Sequence, residues 1–138
     1  MGEWRVIALD THALVRWVSS PERIPRKARR LLDAAVADKR PVAVSSISLW
    51  EIAMLVEHKR LELTIPVAVW IAHLEEIPWL SFVAVDNRIA VRAVHLEAFP
   101  HRDPSDRIIV ATALGLNATL VTADARLRGY APLRSVWD

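Results

Sequence analysis

The sequence predicts an α/β fold: a central, mainly parallel sheet of four to five strands flanked by helices. Three observations carry this. Short apolar runs of strand length alternate with longer segments of helical periodicity, the pattern of βα units. The apolar runs are compact, as strands covered on both faces are. The 138 residues match one ordinary domain, so residues 1–138 are expected to share one core.

Trp4 to Leu9 is the first buried strand, and Thr11 to Ser19 a short helix that breaks at Ser-Pro. Arg26 to Lys39 is an amphipathic helix with the apolar stripe Ala28, Leu31, Leu32, Ala35 and Val36. Val42 to Ser45 reads as a strand and Ile47 to His58 as a helix. Val67 to Ile77 reads as a helix behind Pro66, a residue favoured at helix starts. Ser81 to Val85 is the third strand, Asn87 to Ala98 a helix, and Ser105 to Leu116 a helix behind Asp103-Pro104. Thr119 to Thr122 is the fourth strand; a short helix and a final strand near Val136 close the chain. Sheets of this kind bind ligands outside the carboxyl ends of their strands.

Composition narrows the chemistry. There is no cysteine, so a metal must be held by oxygen or imidazole, and oxygen ligands favour hard ions such as Mg²⁺ or Mn²⁺. The three glycines form neither GxxxxGK[ST] nor GxGxxG, which excludes the Gly-rich phosphate loops. No run approaches the ~18 apolar residues of a membrane span, and the Met-Gly-Glu-Trp-Arg start is charged too soon for a secretory signal, so a cytoplasmic location is expected. Net charge is +2. If four of the 16 acids sit in one metal-neutralised site, 18 basic side chains face the remaining acids and favour a polyanionic partner. An ordinary, slightly basic surface accounts for the charge equally well.

Four carboxylates stand out. Asp10 ends the first strand, where it can also cap the next helix. Glu51 has Ile47, Met54 and Leu55 as helical neighbours; it lies on or beside the core-facing stripe, where a carboxylate is costly unless paired or bound to a cation. In Asp103-Pro104-Ser105-Asp106, Asp103 can be the N-cap, Pro104 the first helical residue and Asp106 the third, and capping alone explains the motif when it is read by itself. Asp124 follows the fourth strand and can be a turn residue. Together they say more. The helix from Ser105 turns tightly into the Thr119 strand, so it runs antiparallel to that strand and its start returns to the same rim as Asp10, Glu51 and Asp124. Carboxylates gathered there repel one another unless a divalent cation neutralises them. Such an ion polarises a phosphoryl oxygen and activates water, which is phosphodiester hydrolysis without a protein nucleophile.

Leu9-Asp10-Thr11-His12-Ala13-Leu14, Ser48-x-Trp50-Glu51-Ile52, His101-Arg102-Asp103-Pro104-Ser105-Asp106-Arg107 and Leu120-Val121-Thr122-Ala123-Asp124 resemble, in this order, the PIN-domain family. They look most like VapC-type toxins of toxin–antitoxin pairs. The resemblance covers nearly the whole chain and implies an α/β/α sandwich and an Mg²⁺- or Mn²⁺-dependent endoribonuclease. The family's catalytic and metal-binding acids carry over to Asp10, Glu51, Asp106 and Asp124. Thr11, Ser46 and Thr122 would be supporting polar groups, and Asp103 a cap or a support. Read from its own position beside Asp106, Arg107 could pair with that acid or reach a phosphate, and a structural ion pair is the simpler reading. Ser105 stands where the family often has Phe, a change beside the site. The resemblance further implies a cognate VapB-type antitoxin that silences the enzyme, a homodimer, and contact with DNA only through the antitoxin.

Other readings stay in view. Arg23, Arg26, Lys27 and Arg30 share a helical face that could meet RNA phosphates or simply be solvated. His12 could line the site or be an ordinary helix histidine. Trp17, Trp50, Trp70 and Trp79 fit core or interface positions better than base stacking. Leu49, Ile52, Leu55 and Val56, with Leu61 and Leu63, could face a partner or the core. A catalytically silent PIN-like module that binds RNA or a partner is the alternative to an enzyme. A phosphatase or phospho-receiver also places acids at strand ends, but Asp10-Thr11-His12 is not Asp-x-Asp, and the last lysine, Lys59, comes too early for a receiver.

Overall fold

The computed structural model describes residues 5–100 and 102–138. The expected strand residue Trp4 and the motif residue His101 lie outside them. The strands are β1 (Ile7–Leu9), β2 (Val42–Ser45), β3 (Leu80–Val83), β4 (Thr119–Val121) and β5 (Arg134–Val136). The helices are α1 (Thr11–Ser19), α2 (Arg26–Ala37), α3 (Ser46–Glu57), α4 (Val67–Glu75), α5 (Asn87–Val94), α6 (Pro104–Gly115) and α7 (Ala125–Arg128), with a 3-10 turn at Pro21–Arg23 between α1 and α2.

The five strands form one sheet in the order β3-β2-β1-β4-β5, and every neighbouring pair is parallel. Side chains alternate across it, as the pleat requires. Ile7, Leu9, Val42, Val44 and Val121 point to a core with Leu14, Ala28, Leu32 and Leu74 from α1, α2 and α4. Ala8, Ala43 and Leu120 point the other way, to Ile109, Val110 and Ala113 of α6. Both faces being covered, β1 and β2 are buried at every position. Small alanines on the second face let α6 approach the sheet closely.

The differences from the expected boundaries have local causes. α2 and α3 end two and one residues early because Lys39 and Lys59 turn left-handed (φ 56° and 57°). α5 stops at Val94 rather than Ala98, since Leu96 and Phe99 leave the helix to pack on the second core. β3 ends at Val83, where its pairing with Ser45 runs out. Trp17, Trp70 and Trp79 sit in or against the first core, but Trp50 is 56% exposed and is not a core residue. Of the leucine-rich set, Ile52 is buried, and Leu49, Leu61 and Leu63 pack against the core rather than forming a free apolar face.

Among the described residues no helix is long and apolar enough to cross a membrane.

Candidate active site

β1 lies at the middle of the sheet, with β2 on one side and β4 on the other. The chain therefore leaves the carboxyl ends of β1 and β4 beside a crevice, where a doubly wound sheet opens a binding site. A pocket of about 410 Å³ occupies this position, and Asp10, Glu51, Asp103, Asp106 and Asp124 all line it. Acids from four separate chain segments thus meet at one rim. Thr11, His12, Arg16 and Arg126 complete most of the wall.

Asp10 is the first residue after β1 and is 6% exposed. One carboxylate oxygen caps α1 by accepting from the Ala13 amide at 2.8 Å; the other accepts a very short hydrogen bond from the Thr122 hydroxyl. Burial pushes the carboxyl above its ordinary range against the pull of those bonds. Thr122 is fully buried and does a second job, its Oγ1 accepting from the Asp124 amide at 3.1 Å. One hydroxyl therefore fixes the two strand-end aspartates relative to each other. Asp124 caps α7, accepting from the Arg126 amide at 2.9 Å, and its carboxylate lies 3.7 Å from the Arg126 guanidinium.

Glu51, half-buried on α3, accepts from Thr11 Oγ1 at 2.6 Å, and Thr11 Oγ1 lies 3.0 Å from Ser48 Oγ. Thr11 has one hydroxyl proton and the carboxylate can only accept, so Ser48 supplies the proton of the second bond. A buried chain Ser48–Thr11–Glu51 orients the carboxylate. Ser48 was not among the expected supports, though it stands three residues before Glu51 on the same helical face. Ser46, which was expected, is the first residue of α3; the hydroxyl that caps this helix is that of Ser45, which accepts from the Ile47 amide at 3.2 Å.

Asp103 caps α6, accepting from the Ser105 amide at 2.9 Å and the Asp106 amide at 3.5 Å, with Pro104 as the first helical residue. Asp106 then turns into the pocket. Its carboxyl is pushed up to about 7, chiefly by burial and then by the negative charges of Asp103, Glu51, Asp124 and Asp10. Every other acid of the pocket acts on it. The Arg107 guanidinium donates to the Ala93 carbonyl at 3.1 Å and lies over the Phe99 ring. Adjacent helix residues do not share a face, so Arg107 turns to α5 when Asp106 turns to the pocket. Arg16 and Arg126 supply the positive charge at the rim. Arg16 sits one turn after His12 on α1, and no local motif marks it.

The donors fit a hard divalent cation in kind. They are carboxylate and hydroxyl oxygens, buried or half-buried, and burial with the neighbouring negative charges raises the proton affinity of Asp10 and Asp106. Among the described residues no three acids or histidines already converge on one point. Asp10, Glu51 and Asp124 each accept a hydrogen bond from a local donor, Ala13 and Thr122 for the first, Thr11 for the second and Arg126 for the third.

The sequence matches the PIN domain family over residues 7–132. It is 36% identical over 130 residues to Ribonuclease VapC22 of Mycobacterium tuberculosis, covering 94% of this chain and 95% of that protein. Its fold is similar to the crystal structure of VapBC2 from Rickettsia felis bound to a promoter DNA fragment, with a TM-score of 0.71 at 19% identity, covering 96% of this chain and 99% of that one. DNA-bound VapBC from Salmonella typhimurium follows at a TM-score of 0.69 and 17% identity, covering 96% and 98% of the two chains.

Proposed function

The chain belongs to the PIN-domain family and is of its VapC type, and on that premise we propose that it is a metal-dependent endoribonuclease, the toxin of a toxin–antitoxin pair. The observation that carries the reading is the single pocket lined by Asp10, Glu51, Asp106 and Asp124. The similarity to Ribonuclease VapC22 supports RNA as the substrate. Neighbours described as VapBC complexes support a VapB-type antitoxin as partner, which would bring the only link to DNA. A homodimer acting in the cytoplasm completes the reading.

Asp10, Glu51, Asp106 and Asp124 would hold Mg²⁺ or Mn²⁺, which supplies Lewis-acid polarisation of the phosphoryl group and a water of lowered pKa. The chain's own residues do the rest. Thr122 sets Asp10 and Asp124 as a unit, and Thr11 with Ser48 sets Glu51. Asp103 fixes the first turn of α6 and so the direction of Asp106. Arg16 and Arg126 give a phosphodiester a positive edge on entering an otherwise negative pocket.

The test is cleavage of a mixed RNA by the purified chain with Mg²⁺ or Mn²⁺. Activity is expected to vanish in EDTA and to fall about 100-fold or more in Asp10→Asn and in Asp106→Asn, comparable to losing one charge-stabilising group at a reaction centre. Undiminished cleavage by the double variant rules the site out. No cleavage, together with no heat on titration with millimolar Mn²⁺, leaves the silent RNA- or partner-binding module.

A further inference from the structure

On the α2 side of the sheet, away from the carboxylates, lies a groove of about 730 Å³. Its floor is aliphatic, formed by Ile7, Leu31, Ala34 and Val136, and Arg5, Arg26, Lys27, Arg30 and Arg40 surround it. No acid is among its described lining residues. Arg40 is held by Asp38 at 3.4 Å; Arg26, Lys27 and Arg30 are exposed on α2. Arg26 and Arg30 stand one turn apart, about 6 Å along the axis, a separation comparable to that of neighbouring phosphates in an extended strand.

The groove is not isolated. Lys27 and Val136 also line a smaller hollow that continues past Arg128 and Trp137. The Trp137 ring carries the Arg16 guanidinium, 5.3 Å from its centre, and Arg16 lines the carboxylate pocket. Asp138 in this hollow is paired with Arg128 at 2.6 Å, and Glu22 and Asp33 lie in a separate hollow on the other side of Arg26 and Arg30. A line of cations thus leads from the pocket at the carboxyl ends of the strands, by way of Arg16, Arg128 and Lys27, to the groove beside α2.

We propose that this line is a track for single-stranded RNA, in which the phosphates flanking the cut site run past Arg16 and Lys27 onto Arg26 and Arg30 while bases lie against the aliphatic floor. It rests on the nuclease reading for the placement of the scissile phosphate, and extends it by assigning the substrate form and its path. An acidic peptide would also suit a cationic rim over an apolar floor. The continuity with the carboxylate pocket favours RNA, because a strand threaded through that pocket must leave it along some surface and this one opposes its charge. The track adds about four nucleotides to the contact, the low end of single-strand site sizes.

The experiment measures binding of a fluorescein-labelled 20-nucleotide single-stranded RNA in EDTA, where turnover is blocked, across a salt titration. Each phosphate contact on a single strand contributes about 0.7 to the slope of log affinity against log salt. Arg26→Gln/Lys27→Gln/Arg30→Gln should therefore lower the slope by about 2 and weaken binding about 30- to 100-fold at 0.1 M salt. Arg26→Lys/Arg30→Lys, which keeps the charges, should bind as the parent does. An unchanged slope and affinity in the triple variant overturns the track. So does a triple variant that binds RNA normally but loses a Glu/Leu-rich amphipathic peptide bound by the parent, which would make the groove a protein-docking site. If the parent binds RNA along these residues but cuts nothing with Mg²⁺ or Mn²⁺, the track stands and the nuclease reading falls.

Discussion

Asp106 concentrates the electrostatics of the pocket in one side chain. In an unfolded chain its carboxyl ionises near 3.8; in the folded protein it does so at about 7. Between those values the native state holds a proton that the unfolded state has released, so stability falls as pH rises from about 4 to about 7 and then levels off. Asp106→Asn removes that cost. The variant is expected to match the parent near pH 4 and to exceed it at pH 8 by on the order of 1 kcal/mol, the solvent on its open side screening the rest of the shift. Urea unfolding at the two pH values checks this; equal effects at both would mean that ionisation is not the cause. At this scale the sequence was legible where a residue had a local signature. Asp103-Pro104 announced a cap, and Glu51 amid Ile47, Met54 and Leu55 announced a carboxylate needing a partner. Ser48 and Arg16 were not read, because each acquires its role only from a residue on another helix or at the far end of the chain, Thr11 for the one and Trp137 for the other.

The helices end by a shared device. In α2, α3 and α6 a residue turns left-handed, Lys39, Lys59 and Asn117, and the next amide reaches back five residues, as in Arg40 to Ala35, Arg60 to Leu55 and Ala118 to Ala113. Asn tolerates that conformation, but a lysine pays a steric penalty that glycine avoids. Lys59→Gly, at an exposed position, should therefore raise stability by about 0.5–1 kcal/mol, the relief of strain exceeding the added freedom of the unfolded chain. A shift of the denaturant midpoint at constant slope is the readout, and destabilisation would contradict the account. The same device explains why these ends were placed one or two residues late from sequence: apolar periodicity runs on past the residue at which the backbone reverses, and no glycine marks the point.

Across the whole molecule, the alternation of apolar runs and helical stripes was enough to give a parallel sheet covered on both faces, since helical crossovers return the chain to the same end of the sheet and so fix strand direction. Strand order was not readable: placing β1 between β2 and β4 depends on which helix fits which face, as with the alanines that admit α6. The same order makes the pocket a property of the entire fold, so ligand binding there should act on global stability. With Mn²⁺ at one hundred times its dissociation constant, the midpoint of thermal unfolding is expected to rise by the equivalent of about 2.7 kcal/mol, roughly 8 °C. The rise should disappear in Asp10→Asn/Asp124→Asn. A persistent shift in that variant would place the ion elsewhere.

The bond from Thr122 to Asp10 joins positions 112 apart, and it has a consequence during synthesis on the ribosome. The first aspartate emerges well before the threonine that holds it, and before Asp124 two residues later. Until then β1 keeps one edge uncovered and the pocket lacks a wall. A pocket assembled in this order has its full set of acids only once β4 has followed β1 out of the tunnel.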